Sequence, residues 1–128
     1  MDKPKRCSPV IAISDKRNEK EINFGSVAVG SASDTKISMN CQSGGNSFIT
    51  YSVTEPFLLG DGSRERSWYF DGSSMIGIDH FALVRFSPDR PGRVTGTMTF
   101  RSSDGTQIKF GVQRAETVTV RLVGEGVA

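Results

Sequence analysis

The stretch VRFSPDRPGRVTGTMTF, Val84 to Phe100, sets three arginines between two runs of alternating apolar residues. In its second half Val94, Met98 and Phe100 alternate with Thr95, Thr97 and Thr99, so one face is apolar and the other rich in hydroxyls. That alternation is the mark of a half-buried strand. Ahead of it, HFALVRF (His80 to Phe86) puts Ala82, Val84 and Phe86 on one side of a second strand. The connection SPDRPGR (Ser87 to Arg93) contains two prolines, which fix φ, and a glycine, which permits a sharp reversal. The stretch therefore reads as a β-hairpin, with Arg90 and Arg93 solvated at the mouth of its turn, in preference to a nucleic-acid site.

The period of two recurs along the chain. Ile37, Met39 and Cys41 alternate with Lys36, Ser38 and Asn40; Ile49, Tyr51 and Val53 with Thr50 and Ser52; Val118, Val120 and Leu122 with Thr117, Thr119 and Arg121. VIAIS (Val10 to Ser14) and INFGSVAVG (Ile22 to Gly30) add an N-terminal strand and an interrupted one. SDGT (Ser103 to Thr106) carries the Asp-Gly pair of two-residue hairpin turns, with QIKFGV (Gln107 to Val112) as the returning partner. No window shows the three-four spacing of an amphipathic helix, and turn signals recur at the rhythm of an all-β sandwich. Leu59 to Gly77 is the least regular segment: a long loop, or a short edge strand flanked by loops.

A chain of 128 residues suits one domain with one core. With 36% aliphatic, aromatic and sulfur residues and 14 glycines, it fits a turn-rich globular protein and excludes a disordered one. The net charge of +2 is small, and acids such as Asp15, Glu21, Asp34 and Asp89 are interleaved with the bases, whereas a phosphate-tracking protein concentrates its positive charge. No nucleic-acid partner is expected. Only DKPKRC (Asp2 to Cys7) is locally basic, and no apolar run follows it that would make a signal peptide or a membrane span. The chain as written reads as soluble: either cytosolic, or a mature form from which a targeting segment was removed.

Three segments together resemble a known family. INFGSVAVGSASDTKISMNC (Ile22 to Cys41), VRFSPDRPGRVTGTMTFRSSDG (Val84 to Gly105) and VTVRLVGEGVA (Val118 to Ala128) resemble, in order, the immunoglobulin-like domain shared by abnormal-spindle and hydin proteins, the ASH domain. They look equally like the choice-of-anchor repeats of bacterial surface proteins. The resemblance implies an immunoglobulin-like β-sandwich of about 7–9 strands over residues 22–128, preceded by a basic tail and first strand in residues 1–21, all as a single domain. It also implies a non-enzymatic binding or spacing module and brings no catalytic residue. Phe24 would anchor an edge segment, Gly25 and Gly30 would let the strand switch sheets, and the glycines of LVGEG would mark where the chain leaves its last strand. The chain departs from the family pattern at NCQSGG (Asn40 to Gly45) and in its extra N-terminal strand.

Chemical sites are sparse. His80, the single histidine, sits beside Asp79 without a nucleophile elbow or metal-ligand spacing, and reads as a polar strand-end residue. Asp61, Asp71 and Asp79 do not follow the spacing of a calcium loop and read as solvated acids. No cofactor or metal is expected. Trp68, Tyr69 and Phe70 suit either a core or a platform for a glycan or a protein. The region Asp61 to Ser74, with Arg64, Arg66 and Trp68, is the surface expected to meet a protein partner.

The cysteines bear on where the protein works. Should the chain rise through Val10 to Ser14 and return through Lys36 to Cys41, Cys7 and Cys41 meet at one end of the sheet, where a disulfide can form. Their placement also resembles the disulfide of chaperone-usher pilus subunits, although ETVTVRLVG (Glu116 to Gly124) supplies the last strand that pilins lack. The alternative is a buried Cys41 and a free Cys7. A disulfide favours a periplasmic or cell-surface module, including a pilus subunit or adhesin; free thiols favour an intracellular docking domain for ciliary, centrosomal or cytoskeletal partners.

Overall fold

The computed structural model describes residues 10–13, 21–40, 47–70, 80–102, 107–110 and 113–128. Among them every regular element is a strand: β1 (Val10–Ile13), β2 (Glu21–Ala28), β3 (Ser33–Asn40), β4 (Ser47–Val53), β5 (Phe57–Leu59), β6 (Glu65–Phe70), β7 (His80–Phe86), β8 (Gly92–Ser102), β9 (Ile108–Phe110), β10 (Gln113–Ala115) and β11 (Thr117–Val127). They form two sheets. One has six strands in the order β10-β9-β1-β3-β7-β5, and the other has five in the order β2-β11-β8-β4-β6. The expected immunoglobulin-like sandwich is present. The strand number exceeds the expected 7–9 because β5 and β10 are only three residues each, too short for alternation to reveal.

Alternation places the core. Ile37 and Met39 of β3, Tyr51 of β4, Val84 and Phe86 of β7, Met98 and Phe100 of β8, and Val118, Val120 and Leu122 of β11 are all buried between the sheets. The rings of Phe24, Phe57 and Phe86 meet pairwise at 5.4–5.9 Å near one end of this core. Burying one such side chain contributes about 1.5–3 kcal/mol.

The structure corrects the hairpin reading of the opening stretch. β7 pairs with β3 and β5, whereas β8 pairs with β11 and β4, so Ser87 to Pro91 arches from one sheet to the other. Alternation fixes which residues are buried but not which strand lies alongside, and an arch buries the same faces as a hairpin. The second expected hairpin fails in the same way. Residues 103–106 lie outside the described residues, but the flanking strands fall in different sheets: β9 pairs in parallel with β1 and antiparallel with β10.

The glycines of LVGEG also act differently from expectation, because Gly124 and Gly126 remain within β11. A Cβ on Gly124 would stand 2.5 Å from the Phe86 ring, and one on Gly126 would strike Pro88 and the Arg90 carbonyl. Glycine is required there by close approach. The motifs FSP and GEG, 38 residues apart in sequence, are thus two halves of one contact across the sandwich. The expected switch of β2 between sheets does not occur: β2 pairs with β11 from Glu21 to Ala28 within the five-stranded sheet, and Gly25, with φ of 70° and its N–H donating to Asn23 Oδ1 at 2.8 Å, instead marks a shift in that parallel register.

Candidate functional site

At one end of the sandwich two connections stand side by side, the arch Ser87 to Arg90 and the turn Thr54 to Pro56 that leads into β5. The second is pinned to β8, since the Thr54 and Thr97 backbones bond at 3.0 Å and the Thr97 N–H also donates to Thr54 Oγ1 at 3.0 Å. Between the connections lies a half-open groove of about 620 Å³ with Pro56, Leu58, Pro88 and Val94 as its apolar lining. Its charged rim is Glu55, Arg64, Asp89 and Arg90. Arg64 Nη1 lies 2.7 Å from Glu55 Oε1, and Arg90 Nε lies 3.5 Å from Asp89 Oδ1. Both pairs are exposed, so each is weak and can exchange its partner for a ligand's charge.

The structure separates the three residues expected to meet a partner. Arg64 belongs to the groove. Arg66 and Trp68 belong to β6, the outer strand of the five-stranded sheet, opposite Tyr51 and Ile49 of β4. Directly opposed residues share a face, so both start from the core side of the edge. Arg66 reaches along that edge to Asp61, with Nε 3.6 Å from Oδ2. Asp61 accepts from the Ser63 hydroxyl at 2.6 Å and the Ser63 N–H at 3.0 Å; these bonds, the hydroxyl's foremost, hold its carboxyl below the ordinary range. Trp68 is half-buried against the core and stacks on His80, with ring centroids 3.9 Å apart and planes 4° apart.

His80 belongs to the opposite sheet, so the Trp68 stack ties β6 to β7. Its Nε2 lies 3.2 Å from the Tyr51 hydroxyl. Burial pushes His80 below its ordinary value of 6.5, and the Arg66 charge pushes the same way; burial also pushes the Tyr51 phenol up. Both groups are held neutral near pH 7 and satisfy one another by a hydrogen bond. The two side chains locked in this way pack a polar corner between the sheets. Of the three acids weighed as calcium ligands, Asp61 has the partners just given, while Asp71 and Asp79 lie outside the described residues, as do Cys7 and Cys41.

Sequence reasoning singled out Arg64 but not the groove it rims. The signal present was a proline in each connection, Pro56 and Pro88, each next to an acid or a serine; their juxtaposition depends on the arch, which the hairpin reading had excluded. The Trp68–His80 stack was equally hidden, because the two residues belong to different sheets.

No family model matches the sequence, and no curated protein matches it. Solved structures do match in shape. The ASH/PapD-like domain of human CEP192 (PapD-like domain 7) superposes with a TM-score of 0.55 at 14% identity, over 99% of this chain and 90% of that one. A family 123 glycoside hydrolase from Clostridium perfringens matches with a TM-score of 0.59 at 13% identity, over 94% of this chain but only 27% of that one. The N-terminal domain of PorA overlaps with a TM-score of 0.48 at 15% identity. At such identities the likeness is one of fold alone, that of an immunoglobulin-like β-sandwich.

Proposed function

We propose that this chain is a non-enzymatic interaction module that holds a protein partner at the groove end of its sandwich, in a cell-surface or periplasmic assembly such as a pilus or an adhesin. The observation that carries the contact is the groove itself, apolar in its lining, rimmed by the weakly paired Arg64 and Arg90, and mounted on connections fixed by Gly96, Gly124 and Gly126. Arg66 extends the contact along β6, whereas Trp68 stacks on His80 at the other end of β7 from the arch and lies away from the groove. A photo-crosslinker at position 64, compared with one at the exposed Arg101 near the other end of β8, tests this in cells of the source organism. Protein adducts that form at 64, fail at 101 and weaken with Arg66→Ala are expected. Equal adducts at both positions would place the contact elsewhere.

The setting is supported by strand register. Val10 of β1 lies opposite Asn40 of β3, so the start of β1 and the end of β3 share one end of the sheet, as the Cys7–Cys41 disulfide needs. Intact mass after alkylation without reductant reads the thiols of native-source protein, and none is expected to label. A second reading, an intracellular docking domain, draws on the ASH resemblance, and two labelled thiols would select it.

A further inference from the structure

The outer face of the six-stranded sheet carries a charge pattern unlike the rest of the chain. Its outward positions are fixed by the buried ones: Ile37 and Met39 put Lys36 and Asp34 outside, Ala82 and Val84 put Phe81 and Leu83 outside, and Ile108 and Phe110 do the same for Lys109. Register then sets Arg114 of β10 directly opposite Lys109 of β9. Like charges opposed across a ladder destabilise a sheet. Beyond them, Lys36 of β3 lies 4.3 Å from the centre of the Phe81 ring. The one anion at the described outward strand positions, Asp34, is taken up by Arg85, which donates to it twice, at 2.9 and 3.1 Å. Phe81 and Leu83 are 50% and 40% exposed on this same face.

We propose that this face docks an acidic protein segment that also carries an apolar side chain. The adverse Arg114–Lys109 pair is relieved when carboxylates sit over it, and Phe81 with Leu83 supplies the apolar contact. Strands lie about 4.8 Å apart, so the four intervals from β10 to β7 span about 19 Å, which an extended segment crosses in about six residues. The segment therefore needs acids at one end and a leucine or phenylalanine about six residues away. A second copy of this chain is disfavoured as occupant because it would set cations against cations. This surface is the outside of the opposite sheet from Arg66, so it goes beyond the groove contact and stands or falls separately.

The test uses the full chain and a fluorescent peptide with four glutamates followed, after five glycine and serine residues, by Leu-Phe. Binding is expected to weaken as salt rises, and to drop at least tenfold with Lys109→Glu/Arg114→Glu and separately with Phe81→Ser. Arg101→Glu on the other sheet should leave it unchanged. Because all these side chains are exposed, thermal melting should show each variant folded, and Lys109→Glu alone should melt higher than the parent by removing the like-charge pair. Four outcomes would overturn the proposal: no peptide binding; equal binding by the peptide with glutamines in place of glutamates; unchanged affinity in the double reversal; or preferential binding to phosphatidylserine vesicles, duplex DNA or a second copy of the chain.

Discussion

Gly124 shows how a single position couples two distant motifs. A methyl group there has no free direction, since the face of Phe86 occupies the space a Cβ would need. Gly124→Ala should cost about 1–3 kcal/mol through displacement of that ring, read as a lower urea midpoint with unchanged slope. Pairing it with Phe86→Leu should recover part of the loss, and strictly additive effects would show that the ring is not the obstacle. His80 gives a different single-residue test. Its folded value lies below its ordinary 6.5, so the unfolded chain takes up the proton first as pH falls. The stability it contributes is whole above about pH 6.5 and drains away as pH falls through the folded value. His80→Gln should flatten that fall between pH 7.5 and 5. Asp34, held low chiefly by its hydrogen bond from Arg85, loses its contribution in a separate window below 3.8.

Single strands behave according to their edges. β6 is an outer strand in unbroken register with β4 and without the bulge that protects β2, so it offers backbone groups to any other extended chain. Arg66, placed on its core side, is a charge that a docking strand would have to bury. Arg66→Val should therefore produce concentration-dependent association in sedimentation velocity, while Arg64→Ala remains monomeric; two monomeric variants would mean that β6 is guarded by something else. Alternation revealed most long strands and their buried faces. It was silent on β5 and β10, where three residues hold barely one period, and on the neighbours of β7 and β8. Arg64 and Trp68 stood out by type as contact residues, yet only pairing separates the arginine on the groove from the tryptophan stacked on a histidine.

At the scale of the molecule, both readings of function share a sandwich whose connections cross between sheets. Removing the Cys7–Cys41 link, if formed, should lower stability by about 2–4 kcal/mol, measured as a urea-midpoint shift on reduction that Cys7→Ser/Cys41→Ser abolishes. No shift on reducing native-source protein would instead favour the intracellular setting. The order β2-β11-β8-β4-β6 has a consequence for biosynthesis. β11 is made after every other strand, yet it is an inner member of its sheet, bonded in parallel to β2 and antiparallel to β8. Until β11 has left the ribosome's exit tunnel, β2 has no partner in that sheet and Phe24 has no closed core to enter. A nascent chain of this protein must wait with β2 unsealed, and its yield in a cell depends on what shields that strand during translation.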